Sequence, residues 1–304
     1  MATTCYPARR QGCNVRVALA ADGSLLVQCG TQDMGSGTYT ALGQMAAEML
    51  GIAIDRVTVE LGDTLLPEGP FSGGSQVTSS IAPAVEMATA ALRTKLCALA
   101  VADEASPLFG LPPNTLDFGE GLIRNRSGNA AEDIAALLAR KAPTGLAADG
   151  VTAAPLDYPR TGMGFGAVFV EVGVDADLGE IRVRRVTAAF AVGRIVNRLL
   201  AVSQFIGGLI GGIGMALHER TVTDRASGRI VGDSFADYLI PVHADMPVFD
   251  IAIHDEHDPD LPGGIKGIGM LGTGGIQAAI ANAIFDATGK RVRHLPIRIE
   301  DVIV

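Results

Sequence analysis

The sequence predicts an α+β fold of two pseudo-repeated lobes, each ordered β-hairpin, helix, strand, helix. Two observations carry that expectation. Each half of the chain holds a pair of short β-rich runs around a tight turn, followed by a glycine-rich stretch that opens into a helical pattern. Between the halves, residues 105–164 are rich in Pro, Gly and Ala and read as a junction. One domain over residues 1–304 is expected, with lobe one at about 1–104 and lobe two at about 165–304.

The first hairpin joins Val15-Arg-Val-Ala-Leu to Leu25-Leu-Val-Gln-Cys through Asp22-Gly23, a dipeptide suited to the positive φ of a tight turn. A hairpin is therefore expected to open the chain. Residues 38–50 have helical composition, and Val57-Thr-Val-Glu-Leu alternates like a strand. Ile81, Val85, Ala88, Leu92, Leu96 and Leu99 recur every three or four residues, which predicts a helix capped by Ser80 with Pro83 in its first turn.

In the second half, strands are expected at 168–174 and 181–188, joined through Asp175-Ala-Asp-Leu-Gly-Glu, and at 248–253. Helices are expected at 202–217 and 276–288. Thr273 and Gly289 would bracket the last one as N-cap and terminating glycine, with Lys290 and Arg291 where a helix end favours cations. The junction holds one short helix over 130–141 behind Asn129 as cap.

Charge excludes one class of partner. With 33 acidic against 24 basic residues and a net charge of -9, the chain lacks the clustered cations that nucleic-acid binding needs. Only 19% of residues are charged and mean hydropathy is +0.31, as expected of a surface partly buried against partner chains. The most apolar stretch, 205–217, is short for a bilayer and loaded with Gly, so it reads as a buried helix rather than a membrane span. The start lacks the pattern of a secretory signal, which predicts a cytoplasmic chain, the alternative being periplasmic by co-export with a signal-bearing partner. Cys5, Cys13, Cys29 and Cys97 have neither zinc-site nor iron-sulfur spacing and read as four ordinary thiols.

Several loops carry candidate chemistry. Gly30-Thr-Gln-Asp-Met-Gly-Ser-Gly-Thr38 places three glycines just before a helix, where free backbone N–H groups and the helix dipole favour a phosphate; a turn that binds nothing is the plain alternative. Phe71-Ser-Gly-Gly-Ser-Gln-Val-Thr-Ser-Ser80 offers hydroxyls and glycine amides at a second helix start. Gly193-Arg-Ile-Val-Asn197 sets a cation and an amide before a third helix, though a surface Arg beside a turn Asn fits as well. Gly264-Ile-Lys-Gly-Ile-Gly-Met-Leu-Gly-Thr-Gly-Gly275 is the densest glycine loop and leads into the last helix. Several such loops, each feeding a helix, suggest one large phosphate-bearing cofactor.

Other patterns point elsewhere. The glycines of 207–214 lie inside an apolar helical run without the preceding strand of a dinucleotide fold, so they are read as letting two helices approach, and an NAD-dependent dehydrogenase is set aside. His254-Asp-Glu-His257-Asp-Pro-Asp has metal-ligand residue types but reads as an acidic loop, and His218, His243 and His294 are isolated in sequence.

Taken in order, these segments resemble the molybdopterin-binding large subunit of the xanthine oxidase/aldehyde oxidase family, in particular the periplasmic aldehyde oxidase type. The shared segments are Met1-Ala-Thr with Tyr6-Pro7, Asp33-Met-Gly-Ser-Gly-Thr-Tyr-Thr, Ser72-Gly-Gly-Ser, Gly193-Arg-Ile-Val-Asn, Ser203-Gln204 with the run to Glu219, and Ala278-Ala-Ile-Ala-Asn-Ala. The resemblance implies the α+β cofactor-binding C-terminal portion of a hydroxylase that oxidises aldehydes or N-heterocycles with water-derived oxygen. It implies molybdenum–molybdopterin cytosine dinucleotide as cofactor, and partner subunits carrying 2Fe-2S and FAD. By the same resemblance, Met34, Gly35 and Ser36 contact the pterin and phosphate, and Thr78, Ser79 and Ser80 bind at the second loop. Arg194, Ile195, Val196 and Asn197 hold the dinucleotide extension, Gln204 approaches the metal, and Lys266, Gly267, Ile268 and Gly269 pass beside it; the protein itself supplies no metal ligand.

Two departures qualify the resemblance. The family's large subunit begins with a further half that carries other cofactor loops and much of the substrate pocket, which implies a complementary N-terminal half as partner. The family's catalytic glutamate follows the Lys-Gly-x-Gly segment, where this sequence has Met270, and Asp and Glu are absent from 263–285. A degenerate, non-catalytic relative is therefore the alternative reading.

Overall fold

The computed structural model describes residues 1–153, 162–254, 256, 258–259 and 261–303. The strands are β1 (Ala2–Pro7), β2 (Cys13–Leu19), β3 (Leu25–Cys29), β4 (Val57–Leu61), β5 (Leu116–Gly119), β6 (Leu122–Asn125), β7 (Ala131–Asp133), β8 (Leu146–Thr152), β9 (Met163–Val174), β10 (Ile181–Ala191) and β11 (Val248–His254). The helices are α1 (Thr38–Leu50), α2 (Val77–Ala102), α3 (Ile134–Lys141), α4 (Arg198–Leu217), α5 (Thr273–Thr288) and α6 (Ile299–Val302). They divide into two compact units. Unit one comprises Met1–Ala8, Gly162–Asp258 and Lys266–Val304, and unit two comprises Arg9–Thr161 and Pro259–Ile265.

Unit two is built on a four-stranded sheet of order β4-β3-β2-β8. The predicted hairpin is there, with Val17 opposite Val27 and Gly23 at φ 82° in the turn. Strand β4 runs parallel to β3, which demands a crossover, and α1 supplies it. Alternation buries Val15, Val17, Leu19, Leu25, Val27 and Cys29 on one face, against Ile81, Val85, Ala88, Leu92 and Leu96 of α2. Gly150 in β8 lets α2 lie close: a Cβ there would run into the carbonyl of Ala84. A second sheet, β5-β6-β7, carries α3, and buried Asp103 at the end of α2 pairs with Arg140 (3.0 Å) and Lys141 (3.1 Å) of α3.

Unit one repeats the plan. Its sheet has the order β1-β9-β10-β11, with β9 and β10 as hairpin, α4 as crossover, β11 parallel to β10, and α5 as the second helix. The fourth strand is antiparallel in both sheets but comes from opposite places in the chain. β1 precedes everything else and pairs with β9, whereas β8 follows α3 and pairs with β2. Val168, Val186, Ala188 and Phe190 form the core with Phe205, Leu209, Ile213, Ile276 and Ile280, and the Phe190 and Phe205 rings stack at 4.1 Å.

The α4 glycines are used as the sequence suggests. A Cβ on Gly208 would sit 3.0 Å from the Thr273 amide nitrogen, and one on Gly212 would overlap Ile276, so α5 can approach closely only because both are glycine. Gly207 and Gly211, on the other side of the helix, have open space. The helix starts earlier than expected, at Arg198, because Asn197 caps it by accepting from the Leu200 amide (3.0 Å). Its 20 residues have the length and hydropathy of a membrane span, which the apolar stretch alone did not, but its seam is the core of unit one.

Several expectations are corrected. A strand, β1, opens the chain ahead of the hairpin. The stretch taken as a junction holds β5 to β8 and α3, so the boundary placed at about 104 falls inside unit two. α3 begins at Ile134 and is capped by Asp133, which accepts from the Ala136 amide (2.8 Å); Ala131–Asp133 is a strand instead. α2 begins at Val77, so Ser80 sits in the first turn and Pro83 beyond it, where its ring leaves the Ser79 carbonyl without a helical donor. Thr273 is the first helical residue, after Gly272; Gly289 ends the helix at φ 73° as expected.

Candidate cofactor-binding site

Within unit two, the structure brings the first two glycine-rich loops together. The Gly30 amide donates to the Pro67 carbonyl (2.6 Å), the Thr31 hydroxyl to the Pro70 carbonyl (2.6 Å), and the Ser72 amide to the Gln32 side chain (3.0 Å). Gln11 ties in the helix start: its amide donates to the Ser80 hydroxyl (2.9 Å) and its side chain accepts from the Phe71 amide (3.3 Å). Met34 and Phe71 stand exposed at the tips of the two loops.

The α1 start is occupied by the chain itself. Asp33 accepts from the amides of Gly35 (2.9 Å), Ser36 (2.8 Å) and Thr38 (2.9 Å) and from the Ser36 hydroxyl (3.1 Å). The helix has no other side-chain cap, so this carboxylate fills the place that the glycine pattern offered to a phosphate. Burial pushes its pKa up, but the bonds donated by Gly35 and Ser36 outweigh that and hold it below the usual carboxylate range. Sequence reasoning missed this role. The signal was an Asp two and three residues ahead of turn amides, the spacing at which Asx side chains bond their own backbone.

The α2 start is different. Its N-cap, Gln76, makes no side-chain cap bond, the loop before it has glycine and serine at positive φ (Gly74 and Ser75), and no Asp or Glu occurs between Gly69 and Val85. Ser79 and Ser80 are buried, and their hydroxyls donate to the carbonyls of Arg9 (2.9 Å) and Gln76 (2.6 Å) respectively, while Thr78 is half-buried.

In unit one, Gly272 closes on Phe205 and Gly208 of α4, and Gln204, one residue before Phe205, is half-buried. Gly267 is buried, Ile268 and Gly269 are half-buried, and Met270 is 47% exposed. Lys266 is turned inward: its side chain is 2% exposed, and its ammonium donates to the Met163 carbonyl (2.9 Å) and pairs with Glu256 (2.9 Å) and Asp258 (3.2 Å). The acidic loop read as a weak metal candidate thus supplies partners to a lysine; Asp255, His257 and Asp260 lie outside the described residues, among which no metal-ligand group occurs. His294, isolated in sequence, lies 3.1 Å from Asp301. Arg194 is exposed, Ile195 and Val196 are half-buried, and Asn197 serves as the α4 cap. A cavity of about 910 Å³ in unit one, lined by Arg182, Leu217, Leu239 and Ile299 among others, includes none of the residues expected to contact the cofactor.

Each unit by itself offers groups that suit an anion: in unit two an α2 start without a side-chain cap and no carboxylate in the loop that feeds it, and in unit one an α5 start likewise uncapped and an exposed arginine before α4. The fold defines a class. The chain superposes on CO dehydrogenase from Oligotropha carboxidovorans (TM-score 0.85, 23% identity) over 99% of its length and 39% of that chain. It does so equally on quinoline 2-oxidoreductase from Pseudomonas putida 86 (TM-score 0.87, 22% identity), over 99% of its length and 41% of that chain. Residues 1–247 match the molybdopterin cofactor-binding domain. The chain is 38% identical to the aldehyde oxidoreductase molybdenum-binding subunit PaoC of Escherichia coli K12, over 95% of this chain and 38% of that subunit. It is 31% identical to subunit gamma of the 6-hydroxypseudooxynicotine dehydrogenase complex of Paenarthrobacter nicotinovorans, over 94% of this chain and 36% of that one. The chain therefore belongs to the molybdopterin cofactor-binding domain family, within the xanthine oxidase/aldehyde oxidase group, and it spans under two fifths of the length of these relatives.

Proposed function

We propose that this chain is the C-terminal cofactor-binding portion of a hydroxylase acting on aldehydes or N-heterocycles, holding molybdenum–molybdopterin cytosine dinucleotide together with a complementary N-terminal half. Subunits bearing 2Fe-2S and FAD would carry the electrons away. The observation that supports this most is the stitching of the loops at 30–38 and 71–80 into one surface in unit two, with the α2 start left for an anion. The cofactor, when bound, supplies the two-electron chemistry of hydroxylation with water as the oxygen source.

This chain's residues would bind and orient it. The amides that open α2 and the Thr78 hydroxyl would hold a phosphate, and Arg194 would neutralise charge on the dinucleotide. Gly267 and Gly269 would let the backbone before Met270 approach the cofactor closely, and Gln204 would approach the metal. Asp33 already takes up the donors at the α1 start through four hydrogen bonds, so the α2 start rather than the α1 start is offered to the phosphate.

Met270 favours a second reading, a relative that keeps the cofactor but turns over slowly. A thioether cannot take a proton at neutral pH, and no carboxylate lies within 263–285 to replace it. The test is hydroxylation of an aromatic aldehyde by the assembled complex and by its Met270→Glu variant. A gain of ~10²- to 10⁴-fold in kcat with unchanged molybdenum content supports the missing base. Equal turnover would show that the base lies elsewhere.

A further inference from the structure

In unit one, the four-stranded sheet has two faces of unlike history but like chemistry. The inner face is the core against α4 and α5. The outer face is formed by the alternate residues: Thr3 and Cys5 on β1, Phe165, Ala167 and Phe169 on β9, Thr187, Ala189 and Ala191 on β10, and Asp250, Ala252 and His254 on β11. A mostly antiparallel sheet such as this one, when it meets water on one side, normally puts polar residues there. Here the centre is Phe, Ala and Thr, and Phe165 and Phe169 remain 53% and 50% exposed. Charge is confined to the rim, with Asp250 and His254 on the edge strand and the Glu171–Arg185 pair (3.8 Å) at one end.

An apolar, aromatic centre inside a polar rim is the anatomy of a lasting protein interface, and the sheet's own alternation is satisfied only if that face is covered. We propose that this outer face of β1, β9, β10 and β11 docks the polypeptide that makes up the remaining length of the family's large subunits, an inference that rests on the function proposed above. The occupant is chosen because the chain covers only 38% of the E. coli subunit's length, so the larger part of such a subunit is left to be packed against something. A face this poor in charge suits a permanent neighbour better than one that comes and goes.

The face carries its own reporter. Cys5 is exposed on it, while Cys13, Cys29 and Cys97 are buried. The chain is labelled with a maleimide alone over a range of concentrations, and again co-expressed with the complementary polypeptide of the family's large subunit. Cys5 should react promptly in the chain alone at every concentration and several-fold more slowly in the complex. Phe169→Lys should weaken assembly about ten-fold or more while leaving the chain's far-ultraviolet dichroism and melting unchanged. If the complex forms and holds molybdenum but Cys5 reacts as fast as before, or Phe169→Lys assembles normally, the docking face is wrong and the proposed function stands. If no complex and no cofactor form, both are wrong. Protection of Cys5 that grows with concentration in the chain alone would identify a second copy as the occupant and overturn the proposal.

Discussion

Replacing Asp33 by Ala should lower the stability of unit two while leaving its fold intact. The carboxylate satisfies three backbone amides at the start of α1, and no other side chain caps that helix. Loss of an N-terminal cap costs ~0.5–2 kcal/mol, and the half-exposed loop lets water take over part of the bonding, so about 1.5 kcal/mol is expected. For a body of this size that is a fall in Tm of roughly 3–6 °C. Asp33→Asn keeps an acceptor and loses mainly the charge at the helix end, ~0.3–1 kcal/mol. The same group sets a pH dependence. Its folded pKa is held down, so its contribution is complete above the ordinary Asp value of about 4 and is lost as pH falls through the lower folded value. Wild type and Asp33→Ala should therefore melt apart at pH 7 and converge towards pH 3. Calorimetric melts of both proteins across that range are the assay. A Tm difference under ~1 °C at pH 7, or one that persists undiminished in acid, would refute the claim that this carboxylate is the cap.

The remaining predictions concern unit one and the loop at Ser36. Gly212→Ala drives a Cβ into Ile276 and should cost ~1–3 kcal/mol, whereas Gly211→Ala, into open space on the same helix, should stabilise by ~0.5–1 kcal/mol; urea midpoints that move alike would mean the α4–α5 seam is not set by these glycines. Lys266→Met strands the Glu256 and Asp258 carboxylates, which are still partly wet, so about 2 kcal/mol of stability should be lost, and an unmoved urea midpoint would contradict the buried pairing. Ser36→Glu sets a second carboxylate beside Asp33 in place of a donor, and lower cofactor content in a folded complex is expected; unchanged content would favour a turn that binds nothing.

Most of the architecture was legible in the sequence because it follows from periodicity. α1 and β4 lie where composition placed them, and β9, β10, β11 and α5 within a few residues, since alternation and the 3.6-residue repeat are local properties. What was not legible is tertiary. β8 was hidden in a Pro- and Gly-rich stretch because its pairing partner, β2, is more than a hundred residues away, and β1 was not recognised as a strand because its partner, β9, lies likewise far along the chain. Cap assignments at Ser80, Thr273 and Asn129 failed by one to four residues because several polar residues stood near each helix start and only geometry selects among them. For the site, the glycine pattern marked the loops correctly but could not reveal that Asp33 already fills one helix start, nor that the Lys266 ammonium is turned inward onto Glu256 and Asp258.

The central claim, a cofactor held between this chain and a complementary one, is tested most directly by measuring molybdenum and released cytidine monophosphate per mole of chain, for the chain alone and for the co-expressed complex. The account predicts near-equimolar molybdenum and cytidine monophosphate in the complex and little of either in the chain alone, because a large buried pterin needs its polar groups met from both sides. Stoichiometric cofactor on the isolated chain, or a well-assembled complex without it, would contradict the account.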